Sequence, residues 1–221
     1  MLVLHYTGME TGQAALERLC DPAFEVSAHY LVLEDGHTLQ LVPEHRRAWH
    51  AGRASWRGAG DVNSRSIGVE LAHPGHAWGY RPFAAAQIEA LMGLCCGLLF
   101  RHAIPARNVV GHSDIAPNRK EDPGELFPWL ELAQAGIGLM PGPCKPISAP
   151  ALTMQQRALA AYGYNVQSTG RHDLAIRNAV LAFQRHFRPR RMDGVFDGEC
   201  AALLADLCGQ AGCALPADYL T

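Results

Sequence analysis

The chain is poor in the features that most directly announce a function. No run approaches the roughly 20 apolar residues that a membrane helix requires. Lys and Arg number 19 against 21 Asp and Glu, a net charge of −2. That balance excludes the strong basic field expected of a nucleic-acid partner or an anionic membrane surface. No C-x-x-C pair exists among the seven cysteines, Cys20, Cys95, Cys96, Cys144, Cys200, Cys208 and Cys213. Odd in number and unpaired in pattern, they read as reduced thiols with a structural role, and Cys95 and Cys96 fall inside an apolar helical pattern. H-E-x-x-H, G-x-S-x-G and a phosphate-cradling glycine loop are also missing, so any site must be assembled from residues far apart in the chain. There is no leader-like segment either, since Met1-Leu2-Val3-Leu4 runs directly into His5 as a strand. As written the chain reads as cytoplasmic, with a periplasmic location as the alternative if further sequence precedes it.

What is present is a substantial apolar fraction, 48%, enough for a sizeable core. Residues 2–5, 28–33, 38–42, 66–72 and 109–110 read as strands. The second and third flank Glu34-Asp35-Gly36-His37, an Asp-Gly hairpin signal. Thr11 suits the cap of a helix running to Cys20, closed by Asp21-Pro22. Between Phe83 and His102, Ile88, Leu91, Met92, Cys95, Leu98 and Leu99 recur at three- and four-residue steps, an amphipathic helix that packs one face on a sheet. A further short helix is expected from Pro128 to Gln134. These elements predict an α/β fold with a central mixed β-sheet flanked by helices.

Residues 138–151 hold four prolines and two glycines, the composition of an extended linker. Helical patterns follow at 153–161, 173–187 and 197–207, with Asp173 and Asp197 as caps. The expected organisation is a catalytic domain at 1–137, a linker at 138–151 and a small all-α three-helix domain at 152–221.

The most informative stretch is Gly111–Trp129, GHSDIAPNRKEDPGELFPW. Its three prolines rule out a helix interior or a central strand, and ionisable groups on a rigid loop are typical of a site. Within it lie His112 and Asp122. His5 ends a strand, and Glu70 sits in an apolar strand where a carboxylate needs a partner. Two histidines and a carboxylate can form a three-ligand zinc site with an open position for water, which suits a hydrolase. With eleven histidines in the chain, spacing alone leaves other assignments open. Glu70 could instead form an internal salt bridge with Lys120. Asp114 reads as a loop brace, and Trp49 and His50 as loop packing, with contact to the site as the lesser alternative. His29 and Arg119 are candidate substrate contacts, with structural or solvated roles as the alternative. The cluster Arg185, His186, Arg188, Arg190 and Arg191 suits a carboxylate contact or a solvated face better than DNA, since no recognition helix accompanies it.

LVLHYT (2–7), SAHYLV (27–32), AWHAG (48–52), SIGVEL (66–71) and the 111–129 stretch together resemble the zinc-dependent N-acetylmuramoyl-L-alanine amidases of the amidase-2 family, whose fold is shared by peptidoglycan recognition proteins. AYGYNV, AIRNAVLAFQRHFRP and MDGVFD are similar to the three-helix peptidoglycan-binding module often attached to them. The resemblance implies one zinc ion per chain held by His5, His112 and Asp122, with Glu70 as catalytic carboxylate and Lys120 stabilising the oxyanion. It implies cleavage between the lactyl group of N-acetylmuramic or anhydromuramic acid and L-alanine, in peptidoglycan or muropeptides. The chain is expected to act as a monomer. The alternative is a non-catalytic peptidoglycan receptor on the same fold. One departure is Ala28, where some relatives carry a tyrosine ahead of the His-aromatic pair, which places the acid/base burden on Glu70.

Overall fold

The computed structural model describes residues 1–220. Its centre is a mixed sheet of five strands in the order β3-β2-β4-β1-β5. The strands are β1 (Leu2–Tyr6), β2 (Tyr30–Val32), β3 (Thr38–Gln40), β4 (Ile67–Leu71) and β5 (Val109–Gly111). β1 runs parallel to β4 and β5, β2 runs parallel to β4, and β3 closes the edge as the antiparallel arm of the expected hairpin. Leu2, Val3 and Leu4 are fully buried, as befits a parallel strand covered on both faces.

After β1, Thr11 caps α1 (Gly12–Cys20) by accepting the Ala14 amide, and the two faces of the sheet are covered by different parts of the chain. Side chains alternate along a strand, so Leu2, Leu4, Val69 and Val109 turn toward α2 (Ala85–His102) and pack with its Ile88, Leu91, Cys95 and Leu98. Gln87 on the same buried face donates to the Val32 and Ala72 carbonyls at 2.9 and 3.0 Å, pinning the helix to two strand ends. The neighbouring Cys96 is exposed, so the two cysteines of the apolar pattern part company. Val3 and Val110 turn the other way, into a cluster with Trp56, Val62, Ile115, Leu159, Phe183 and Leu204. The last three belong to α5 (Leu152–Tyr162), α6 (Leu174–Phe187) and α7 (Gly198–Ala211). The side chains of Asp173 and Asp197 accept from the Ile176 and Cys200 amides and start α6 and α7 as expected.

The C-terminal helices therefore share a core with the sheet. Trp56 meets Tyr162 and Tyr164 edge-on, at 5.9 and 5.3 Å between centroids. It lies so close over Gly163 that a Cβ there would come within 2.7 Å of the indole. Residues 138–151 form no regular element, yet they do not hang free. The Gly142 amide donates to Asp206, Gln210 donates to the Met140 carbonyl, and the Ile147 amide donates to the Gly198 carbonyl. A composition suited to a loose linker is strapped along α7.

Gly111–Trp129 differs from expectation in one respect. It contains a single helical turn, α3 (His112–Ile115), started when the Asp114 carboxylate accepts from the Gly111 amide at 2.8 Å. The prolines begin just after it, so they bound the turn rather than forbid it. Asp114 also receives Tyr164 Oη at 2.7 Å and His186 Nδ1 at 2.8 Å, joining this turn to the C-terminal helices. The short α4 (Trp129–Gln134) follows. No helix among the described residues is long and apolar enough to cross a membrane.

A shared core should melt as one. Trp56→Ala is expected to cost about 3–5 kcal/mol and to lower Tm by about 10 °C, with a single calorimetric transition in both proteins. Independent melting of residues 152–221 would contradict the shared core.

Candidate metal and catalytic site

Topology builds the site at the carboxyl ends of the parallel strands, where open α/β sheets place their ligands. His5 on β1 is the register partner of Glu70 on β4, and Leu4 that of Gly111 on β5. His5 shares the face of Val3, two residues earlier, and His112 follows directly from β5. The 112–122 segment then folds back, closed by the Ser113 amide donating to the Asp122 carbonyl at 2.9 Å. Three residues that are remote in sequence thus meet. His5 Nδ1 lies 2.9 Å from His112 Nδ1 and 3.1 Å from Asp122 Oδ2, and His112 Nδ1 lies 3.0 Å from the same oxygen. All three residues are buried.

Their hydrogen-bond partners decide which atoms carry protons. His112 Nε2 faces the Ala51 carbonyl at 3.1 Å and must donate, leaving Nδ1 bare. For His5 the assignment passes through two more residues. Ser66 Oγ donates its single hydrogen to the Val62 carbonyl at 2.6 Å, so it accepts from His50 Nε2 at 3.2 Å. His50 Nδ1 is then bare and accepts from His5 Nε2 at 3.0 Å, which leaves His5 Nδ1 bare too. Two imidazole lone pairs and a carboxylate oxygen are therefore aimed at one point. Such an arrangement is repulsive without a cation and is the donor set of a divalent transition metal.

Electrostatics agree. Burial, reinforced by His112, lowers the His5 pKa to about 4, and burial among His5, His29 and His112 holds His50 well below the ordinary range. Both stay neutral, as a ligand and its support must. Burial opposes ionisation of Asp122, but its place between His112 and His5 overcomes that and pulls the carboxyl far down. Glu70 behaves in the opposite way. Burial and the neighbouring Asp122 raise it to about 8 against the pull of Lys120, and its Oε2 is buried with no hydrogen-bond partner. Glu70 and Lys120 line one cavity with His112 and Asp122.

His29 and Arg119 are both engaged within the protein, though Arg119 also lines a cavity beside Lys120 and Asp122. His29 is fully buried, donates from Nε2 to the Arg46 carbonyl at 3.0 Å and accepts the Gly68 amide on Nδ1 at 3.0 Å. No ring nitrogen is left for a substrate. Arg119 donates to the Ala51 and Arg53 carbonyls at 2.9 and 2.8 Å, bracing the carbonyl that orients His112. His50, by contrast, belongs to the site rather than to loop packing alone. Its ring lies over β4 where a Cβ at Gly68 would collide with it, and Asn63 Oδ1 accepts the amides of His50 and Ala51. His50 within AWHAG was the available signal; its partners Ser66 and Asn63 were not.

Residues 1–125 match the family model described as N-acetylmuramoyl-L-alanine amidase. The chain belongs to that family. Residues 148–204 match a second model, a putative peptidoglycan-binding domain. Among relatives, N-acetylmuramoyl-L-alanine amidase AmiD of Escherichia coli K12 is 40% identical over 96% of this chain and 83% of its own length. A solved E. coli AmiD complex with anhydro-N-acetylmuramic acid-L-Ala-D-γ-Glu-L-Lys superposes with a TM-score of 0.86 at 39% identity, covering 96% of this chain and 89% of that one. AmpDh3 of Pseudomonas aeruginosa in complex with anhydromuramic pentapeptide gives 0.80 at 33% identity, covering 96% and 91%. The mixed sheet flanked by helices is thus the amidase fold, and the likeness extends through the C-terminal helices.

If His50 fixes the tautomer of His5, His50→Ala should weaken divalent-metal binding by about 10- to 100-fold. Competition with a chromophoric chelator measures this directly, and unchanged affinity would remove His50 from the site.

Proposed function

We infer that the protein is an N-acetylmuramoyl-L-alanine amidase, hydrolysing the amide between the lactyl group of N-acetylmuramic or anhydromuramic acid and L-alanine in the turnover of peptidoglycan. The observation that carries this reading is the set of three bare acceptors, His5 Nδ1, His112 Nδ1 and Asp122 Oδ2, beside an unpartnered carboxylate. In this reading the three hold one zinc ion per chain, which supplies a Lewis acid for the scissile carbonyl and acidifies water.

The remaining work falls to side chains of this chain. Glu70, buried with Oε2 unpartnered beside the donor set, accepts a proton from the attacking water and delivers it to the leaving amine of L-alanine. Lys120, on the rim of the same cavity, sets a fixed positive charge beside the oxygen that becomes negative in the tetrahedral state. A tyrosine ahead of His29 is not required, because Ala28 occupies that place, fully buried. The donor set, Glu70 and Lys120 form a complete site within one copy of the chain. A receptor without catalysis would not need Glu70 left unpaired beside a complete donor set.

Glu70→Gln is expected to leave zinc content unchanged while lowering kcat by about 10²- to 10⁴-fold. Release of peptide from an anhydromuramyl peptide, followed by mass spectrometry, is the readout, and near-wild-type turnover would refute the acid/base role. Chelation should abolish hydrolysis and added zinc should restore it.

A further inference from the structure

Two cavities meet at the donor set. The first, about 400 Å³, is lined by Met9, Leu19, Val26 and Trp49 in addition to Glu70, Lys120, His112 and Asp122. The second, about 630 Å³, lies across Lys120 and Asp122 and shares Tyr6, Thr7 and Gly8 with the first. Its outer wall does not come from the sheet at all. Asn178, Leu181 and Arg185 of α6 supply it, so a C-terminal helix borders the reaction centre.

Arg185 is the unusual member of that wall. Its side chain is only 15% exposed, and the nearest anion is Glu125, 3.7 Å from Nε, beyond hydrogen-bonding distance. Nε itself is buried without a partner, and no hydrogen bond from the guanidinium is formed within the described residues. Glu125 is already shared with His76 at 3.2 Å, whose other nitrogen meets Tyr6 Oη at 2.8 Å. A largely buried guanidinium whose Nε finds no acceptor keeps donors available, and its planar fork is matched in geometry by a carboxylate.

The amidase substrate has two arms extending from the scissile bond, a sugar and a peptide. The first cavity, with its exposed indole and aliphatic side chains, suits a sugar ring. The second takes its outer wall, with Arg185, from α6. In the peptide of the AmiD complex the glutamate is γ-linked, so its α-carboxylate is free, roughly two residues or about 7 Å from the cleaved amide. We propose that the groove walled by α6 receives the peptide arm and that Arg185 binds the free α-carboxylate of its γ-linked glutamate. The proposal rests on the amidase reading and adds a specificity-determining residue from the C-terminal helices.

The test uses full-length protein and three soluble substrates: anhydromuramyl-L-Ala-D-γ-Glu-L-Lys, the same compound with the γ-linked glutamate α-amidated, and anhydromuramyl-L-Ala. With wild type, amidation is expected to raise KM by about 10-fold with kcat nearly unchanged, the effect of losing a charge-assisted pair. Arg185→Gln should raise KM for the carboxylate substrate by a similar factor, add nothing to the amidated one and leave anhydromuramyl-L-Ala unaffected; Arg185→Lys should fall between. Equal kinetics of wild type on the carboxylate and amidated substrates would overturn the proposal without touching the amidase assignment, as would an equal loss in Arg185→Gln on all three. Failure of wild type to hydrolyse any of them would sink both.

Discussion

Three atoms that can only accept hydrogen bonds are held within 3.1 Å of one another at the end of the sheet, and much of the surrounding structure serves to keep them there. Each of the three has a separate restraint. β1 carries His5 between β4 and β5, the single turn α3 starts at His112, and Ser113 ties the returning chain at Asp122. The ring orientations are settled one layer further out, by the Ala51 carbonyl on one side and the Ser66–His50 relay on the other. Even Arg119 contributes, by donating to the same Ala51 carbonyl. The aim of the lone pairs is therefore set by the carbonyls of Ala51 and Val62, the first directly and the second through Ser66 and His50.

The second constraint is the sheet's need for cover. A parallel sheet is stable only with both faces buried, and the N-terminal segment supplies one long helix, α2, for one face. The other face is completed by Trp56 and by α5, α6 and α7. A module similar to peptidoglycan-binding domains here also acts as a structural layer. Asp114 is its point of attachment to the site, accepting from Gly111, Tyr164 and His186 while lying two residues from His112. The stacking of His186 on Trp129 at 3.7 Å tightens the same junction.

Much of this was readable from local sequence, and the exceptions share a cause. Thr11, Asp173 and Asp197 cap helices because a short oxygen-bearing side chain satisfies amides two or three residues on, a property of neighbouring residues alone. The hairpin at Asp35-Gly36 and the spacing in α2 are equally local. His5, Glu70, His112 and Asp122 could be nominated from residue type, but their convergence depends on the β4-β1-β5 order, which no local pattern encodes. What escaped were roles defined by partners: the relay from Ser66 to His5, the full engagement of His29, and the bracing by Arg119. The proline-rich 138–151 segment has the composition of a tether, yet it is bound along α7 because its amides and carbonyls find Asp206, Gln210 and Gly198. Composition reports how a segment can behave, whereas its packing depends on what lies beneath it.

The placement of α6 at the reaction centre follows from these constraints together. His5 and Val3 share a face of β1, so the helices that cover Val3 must lie on the side where the donor set opens. Within α6, Ile176, Ala179, Val180, Phe183 and Phe187 form the stripe that enters the core. Asn178, Leu181 and Arg185, spaced by three and four residues, form an adjacent stripe. A helix laid on that face with its first stripe buried presents the second along the edge of the groove. The arginine at the groove is thus a consequence of sheet register and helical period, and the layer that completes the core also forms a wall of the substrate groove.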